Sequence, residues 1–141
     1  SRVLIQRVQK ASLLINNVDQ WSNINEGVII FVSFLKGATI EQIPDIVQNL
    51  FQIKCYKQGL SLTDASCDIM IVPQASLGGK PKQKSVQFHN LVDKSQAEPI
   101  YLSFCDHVKS KTKSTFVQGT YGNNQGLKIE SDGPYTHFFE L

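Results

Sequence analysis

"GVIIFVSFL", residues 27–35, decides the architecture. Its β-branched and aromatic side chains follow one another almost without a polar break. A strand with one wet face alternates apolar and polar residues, whereas a nearly continuous apolar run suits a strand covered on both faces. Working outward, "RVLIQRV" (2–8) and "ASLLINN" (11–17) read as two strands with a tight connection, an opening hairpin. On the other side, "ATIEQIPDIVQNLFQIK" changes period. Ile40, Ile43, Val47, Leu50 and Phe51 recur at helical spacing. Thr39 and Gln42 form a capping-box pattern, and Pro44 falls in the first turns, where proline costs least. This predicts a helix over about 40–52.

"DIMIVPQASL" (68–77) reads as a strand ending at Pro73 or soon after. "GGKPKQKSVQFHN" (78–90) has no clear period and reads as a long loop, a kind of segment that often carries function. "EPIYLSFCDHVKSK" (98–111) places Ile100, Tyr101, Phe104, Cys105 and Val108 on one helical stripe. Three further strands are expected near 115–120, 126–131 and 135–140, with "YGNNQG" (121–126) supplying turn chemistry between the first two. The order is ββ-βα-βα-βββ. Helices on one side of mostly β layers give an α/β or α+β sandwich.

The chain has 141 residues, which suits a single domain over 1–141 that buries about 68–70% of its unfolded surface. At 41% hydrophobic and 18% charged residues it is globular in composition rather than disordered. The net charge of +2 does not mark a nucleic-acid binder, but its distribution is uneven. Lys80, Lys82 and Lys84 crowd one stretch and Lys109, Lys111 and Lys113 another, with no acid in either run. Each is also read as a solvated lysine face. The three cysteines, Cys55, Cys67 and Cys105, are odd in number and form no C-x-x-C, so neither a zinc knuckle nor a disulfide framework is indicated. With no run of 18 apolar residues and no signal-peptide pattern, a soluble cytoplasmic protein is expected.

His89, His107 and His137 are far apart and lack metal-ligand spacing. A Ser-His-Asp arrangement of Ser76 with His89 or His137 is conceivable in space, but no G-x-S-x-G elbow is present, and a plain surface serine is the simpler reading. "GGKPKQK" lacks the G-K-[ST] of a P-loop. Its glycine amides and lysines could still hold RNA phosphates, with Phe88 and His89 as stacking surfaces for unpaired bases. The alternative is a mobile loop with solvated lysines.

Two stretches taken together, "PQASLGG" (73–79) and "SDGPYTH" (131–137), resemble the two signature motifs of the D-aminoacyl-tRNA deacylases. "RVLIQRV" resembles their first strand, and the likeness runs essentially end to end. "GTYGN" (119–123), with Pro73 in place of the usual Ser and Tyr135 in place of Val, is closer to the animal-type paralogue than to the D-specific branch. The resemblance implies a homodimer of three β/β/α layers, without metal or cofactor, that hydrolyses the ester between an amino acid and the 3′-terminal adenosine of tRNA. It implies that Gly133 and Pro134 reach across the dimer and police chirality with their backbone carbonyls. A cis bond excludes L-side chains in the D-specific branch, and a trans bond admits small L-residues in the paralogue. Gln74, Ala75, Ser76 and Leu77 would line the ester pocket as the catalytic segment, with backbone amides as oxyanion donors and the tRNA 2′-hydroxyl sharing the work. Tyr135, Thr136, Arg7, Phe88 and His89 would contact substrate, and Lys80, Lys82 and Lys84 acceptor-stem phosphates. Arg7 is a feature of the D-specific branch, so the chain mixes the two types. The readings that follow are a deacylase of D-aminoacyl-, glycyl- or small L-aminoacyl-tRNA with a trans Gly133-Pro134 bond, a strictly D-specific deacylase, and a catalytically silent RNA-binding homodimer.

Overall fold

The computed structural model describes residues 1–141. The apolar run forms β4 (Gly27–Ser33), which lies inside a five-stranded sheet. That sheet also contains β1 (Arg2–Val8), β5 (Asp68–Pro73), β8 (Phe116–Gln118) and β10 (Thr136–Glu140), in the order β10-β1-β4-β5-β8. β4, β5 and β8 are mutually parallel, while β1 is antiparallel to both of its neighbours. As a fully covered strand requires, Val28, Ile30 and Val32 enter the larger core on one face and Ile29 enters a smaller core on the other.

The larger core is closed by two helices. The first begins as a 3-10 turn over Ile40–Gln42 with the Thr39/Gln42 capping box formed, and continues as α1 (Ile43–Gln52) with Pro44 in its first turn. Ile43, Val47, Leu50 and Phe51 are fully buried, as their spacing demands. The second, α2 (Lys94–Lys111), buries Ile100, Tyr101, Phe104, Cys105 and Val108. It starts four residues before the expected position, with Asp93 at its N-cap, because Lys94, Ser95 and Gln96 are polar and show no apolar period. The smaller core lies between the large sheet and a three-stranded sheet, β3-β2-β9, made of β2 (Lys10–Leu14), β3 (Trp21–Ile24) and β9 (Leu127–Glu130). The result is β/β/α layering.

Three expectations change. β1 and β2 are not a hairpin: β1 pairs with β4 and β10, and β2 with β3 and β9, so the chain crosses between sheets at Gln9. A strand at 21–24, absent from the expected order, completes the second sheet. The segment 78–90 is not a plain loop. It holds a hairpin of β6 (Lys80–Lys82) and β7 (Ser85–Gln87) closed over Gln83-Lys84.

Asp68 fastens the start of β5. Its buried carboxylate accepts hydrogen bonds from the Asn25 amide (2.8 Å), the Thr115 amide (3.1 Å) and the Ser114 hydroxyl (2.5 Å). Burial alone would raise its pKa, but these three donors outweigh it and hold the carboxyl below its ordinary value.

Candidate active site

At the carboxyl end of β5 the chain tightens into a 3-10 turn over Ala75–Gly78. The ends of parallel strands, where loops diverge, are the customary place for ligand crevices in α/β sheets. Here the turn borders a small, partly open cavity of about 90 Å³, lined by Ser33, Phe34, Gln74, Ala75, Leu91, Val92, Lys94 and Tyr121 among others. Within the turn the amides are unequally used. Gln74 N–H donates to the Val32 carbonyl (2.9 Å) and Leu77 N–H to the Gln74 carbonyl (3.2 Å), whereas the consecutive amides of Ala75 and Ser76 have no acceptor. The Ser76 hydroxyl is exposed and accepts from the Gln74 side-chain amide at 3.1 Å, not from an imidazole.

Arg2 holds this turn from below, its Nη1 donating to the carbonyls of Leu77 (2.9 Å) and Gly79 (3.0 Å), while its Nε lies 3.3 Å from Glu140. Gly78 and Gly79 serve packing rather than flexibility. A Cβ on Gly78 would lie 2.2 Å from Leu91 Cδ2, and one on Gly79 would lie 2.6 Å from Val86 Cγ1. The hairpin is thereby pressed onto the turn. Lys80 and Lys82 share one face of it, with Lys84 at its closing turn. Together with Pro81, Gln87, His89 and Asn90, Lys80 and Lys82 border an open groove of about 430 Å³. Phe88 is 45% exposed beside Gly79, available for stacking. The second lysine run has other uses. Lys109 and Lys111 occupy the last turn of α2, where cations complement the helix dipole, and Lys113 donates to the Thr63 carbonyl.

The second motif lies elsewhere. Gly133 has φ +110°, a conformation that only glycine adopts without strain, and the Gly133-Pro134 bond is trans, since the chain has no cis peptide. Arg7 braces this loop. Its amide donates to the Tyr135 carbonyl (3.0 Å), its guanidinium lies 4.6 Å from the Tyr135 ring centroid, and its Nη2 is 3.7 Å from Asp132. Tyr135 meets His137 edge-on, and His137 stacks on Phe139. Thr136 points to the opposite, exposed face. None of residues 131–137 lines the cavity beside Ala75.

The structure thus joins Gln74, Ala75, Ser76 and Leu77 to the hairpin bearing Lys80, Lys82, Lys84, Phe88 and His89. It groups Arg7 with Gly133, Pro134, Tyr135 and Thr136 at a different place. Sequence reasoning missed Arg2, Ser33, Leu91 and Lys94. Tyr121 was read only as part of a motif and a turn. It proves to be a wall of the cavity, packed on Tyr101 with ring centroids 5.7 Å apart. Burial and then the nearby Glu98 charge push its phenol above its ordinary pKa, so it stays a neutral donor at neutral pH.

Fold and site define an α/β protein whose ligand pocket sits at the carboxyl edge of its parallel strands and offers free backbone amides rather than a Ser-His pair. The chain belongs to the D-Tyr-tRNA(Tyr) deacylase family, whose family model matches residues 4–140. It is 35% identical to D-aminoacyl-tRNA deacylase 2 of Danio rerio, covering 100% of this chain and 99% of that one. It is 34% identical to D-aminoacyl-tRNA deacylase 2 of Homo sapiens, covering 100% and 95%. A solved structure described as a probable eukaryotic D-amino acid tRNA deacylase superposes with TM-score 0.91 at 33% identity, over 99% of this chain and 98% of that one.

Proposed function

We propose that this protein is an aminoacyl-tRNA editing hydrolase that cleaves the ester joining an amino acid to the 3′ end of a mischarged tRNA. The observation that carries the reading is the pair of free, adjacent amides at Ala75 and Ser76 beside the cavity. Attack by water, or by the neighbouring 2′-hydroxyl of the tRNA followed by water, converts the ester carbonyl into a tetrahedral oxyanion. Two preorganised N–H donors stabilise that charge where it develops. The ester C–O bond then breaks, the departing ribose oxygen takes the bonding pair and a proton to become the hydroxyl, and free amino acid and tRNA result. Ser76, bonded to Gln74, orients substrate and does not attack. Lys80, Lys82 and Lys84 hold phosphates of the acceptor stem, with Phe88 and His89 as platforms for unpaired bases.

The working form is a homodimer. Two features support it. The Gly133-Pro134 loop is remote from its own chain's cavity and can act there only on a second copy. Leu4, Phe31 and Phe138 also lie side by side across β4, β1 and β10 on a face that the small sheet leaves partly uncovered, with Phe138 51% exposed. In that arrangement Gly133 and Pro134, with Tyr135 and Thr136 beside them, gate the partner's pocket. The trans bond favours admission of D-aminoacyl, glycyl and small L-aminoacyl esters over strict D-specificity. The setting we infer is the cytoplasm. Cys55, Cys67 and Cys105 are buried free thiols, burial raises Cys67 to about 11 and Cys105 to about 12, and no helix is long and apolar enough to cross a membrane.

Deacylation of D-aminoacyl-, glycyl- and L-alanyl-tRNA is the deciding assay. Cleavage of all three is expected. Cleavage of D-aminoacyl-tRNA alone would restore strict D-specificity, and binding without cleavage of any would leave an RNA-binding dimer.

A further inference from the structure

Lys94 is the only charged side chain lining the partly open cavity beside Ala75. It is the first residue of an 18-residue helix, where the positive end of the helix dipole disfavours a cation. No acidic residue lies in the first turn of α2 to offset it. Asp93 precedes it and Glu98 lies one turn on, yet the chain's ion pairs are Arg2–Glu140, Arg7–Asp132 and Lys57–Glu26, and Lys94 joins none of them. A lysine followed by an acid four residues later is also the weaker orientation for a helical pair. The position therefore gains little from this cation within the protein itself. Lys94 is itself an exposed residue, so it sets a positive charge at the margin of a small cavity of otherwise uncharged lining, shared with Gln74, Ala75 and Tyr121.

We infer that Lys94 is a substrate-binding residue whose ammonium pairs with the phosphodiester that joins the last two nucleotides of the substrate. The inference rests on the aminoacyl-tRNA reading above. Of the groups near the ester, the α-ammonium of the amino acid is repelled by a lysine and the ribose and base are neutral, so the adjoining phosphate is the anion it meets. An anchor there sets the position of the ester carbonyl relative to the free amides of Ala75 and Ser76, and it discriminates a polynucleotide ester from an isolated nucleoside ester.

The test compares two substrates carrying glycine or D-alanine, whichever the wild type cleaves: the aminoacyl-tRNA, and the same amino acid esterified to adenosine with no phosphate. Lys94→Met is expected to lower kcat/KM about tenfold on the tRNA, mostly through KM. It should leave the nucleoside ester unaffected and flatten the salt dependence on tRNA by about 0.7 in log–log slope. Lys94→Arg should retain most of the activity. Equal loss on both substrates would overturn the proposal, placing Lys94 at the ester or in the scaffold, and so would no loss on either. A wild type inert toward every aminoacyl-tRNA overturns the underlying function and this inference with it; an active wild type indifferent to Lys94→Met overturns the inference alone.

Discussion

Arg2 and Arg7 stand near opposite ends of β1, and each holds one of the two motifs. Arg2 donates to the carbonyls of Leu77 and Gly79, and Arg7 braces the Gly133 loop through Tyr135 and Asp132. Five steps along the extended strand separate them, about 17 Å at the usual rise. A single rigid strand therefore keeps the chain's own pocket and its own Gly-Pro loop apart. If both motifs serve one reaction, the loop acts on a second copy.

That arrangement predicts complementation in trans. Ala75→Phe should fill the pocket, and Gly133→Val should strain the loop, because φ +110° is unsuited to a side chain and a Cβ there meets Arg7 Nη2 at 3.4 Å. Each variant alone should be nearly inactive. Co-expressed, half of the dimers pair one intact pocket with one intact loop, so roughly a quarter of wild-type deacylation should return. A mixture no more active than its parts would place both motifs in one chain's site.

Ser76→Ala tests who performs the chemistry. The Ser76 hydroxyl is hydrogen-bonded to Gln74 and to no histidine, so the substitution removes an orienting group while the amides of Ala75 and Ser76 stay in place. A drop of about tenfold or less in kcat is expected in single-turnover deacylation, against the ~10⁴-fold or larger loss on removing a true serine nucleophile. Near-abolition of cleavage with unchanged tRNA binding would restore Ser76 as the attacking group.

The hairpin lysines should act through charge alone. Replacing Lys80 and Lys82 with glutamate should weaken tRNA binding at low salt. It should also reduce the log–log salt slope by about 0.7–0.9 for each phosphate no longer neutralised, while the rate on a phosphate-free aminoacyl-adenosine ester holds steady. Filter binding across a salt series reads the slope directly. An unaltered slope would leave Lys80 and Lys82 as solvated surface residues.

What could be read from residues alone followed the strength of the local signal. The run at 27–35 announced a doubly covered strand, and Ile43, Val47, Leu50 and Phe51 announced a helix face, because burial on one or both faces imposes a period. Sheet membership has no such signature. β1 and β2 look like a hairpin since alternation marks a strand without naming its partner, and the single residue Gln9 is enough to carry the chain to another sheet. The β6–β7 hairpin was hidden by proline and lysines at exposed positions, where no burial pattern is required. Ser76 and its neighbours were legible through a contiguous motif. Ser33, Leu91, Lys94 and Tyr121 come from separated segments that meet only in the folded chain, so no spacing could reveal them.

Asp68 offers a test of the scaffold under that pocket. Its carboxylate faces three donors and no competing acceptor, so Asp68→Asn must turn an amide N–H₂ toward at least one N–H or O–H. Losing a charge-assisted bond in a buried site costs about 1–3 kcal/mol. The sign of the pH dependence follows from the lowered carboxyl pKa. The unfolded chain takes up a proton first, near pH ~3.9, so the contribution of Asp68 is complete above that value and is lost as pH falls through the lower folded pKa. Thermal unfolding should show Asp68→Asn less stable than wild type at about pH 7, with the gap narrowing as pH falls below about 4. Because Asp68 sits at the amino end of β5 and Gln74 just beyond its carboxyl end, the variant should lose melting temperature while keeping kcat on aminoacyl-tRNA at about 25 °C. A constant gap from about pH 7 to about pH 2.5 would show that its carboxylate contributes no charge-dependent stability.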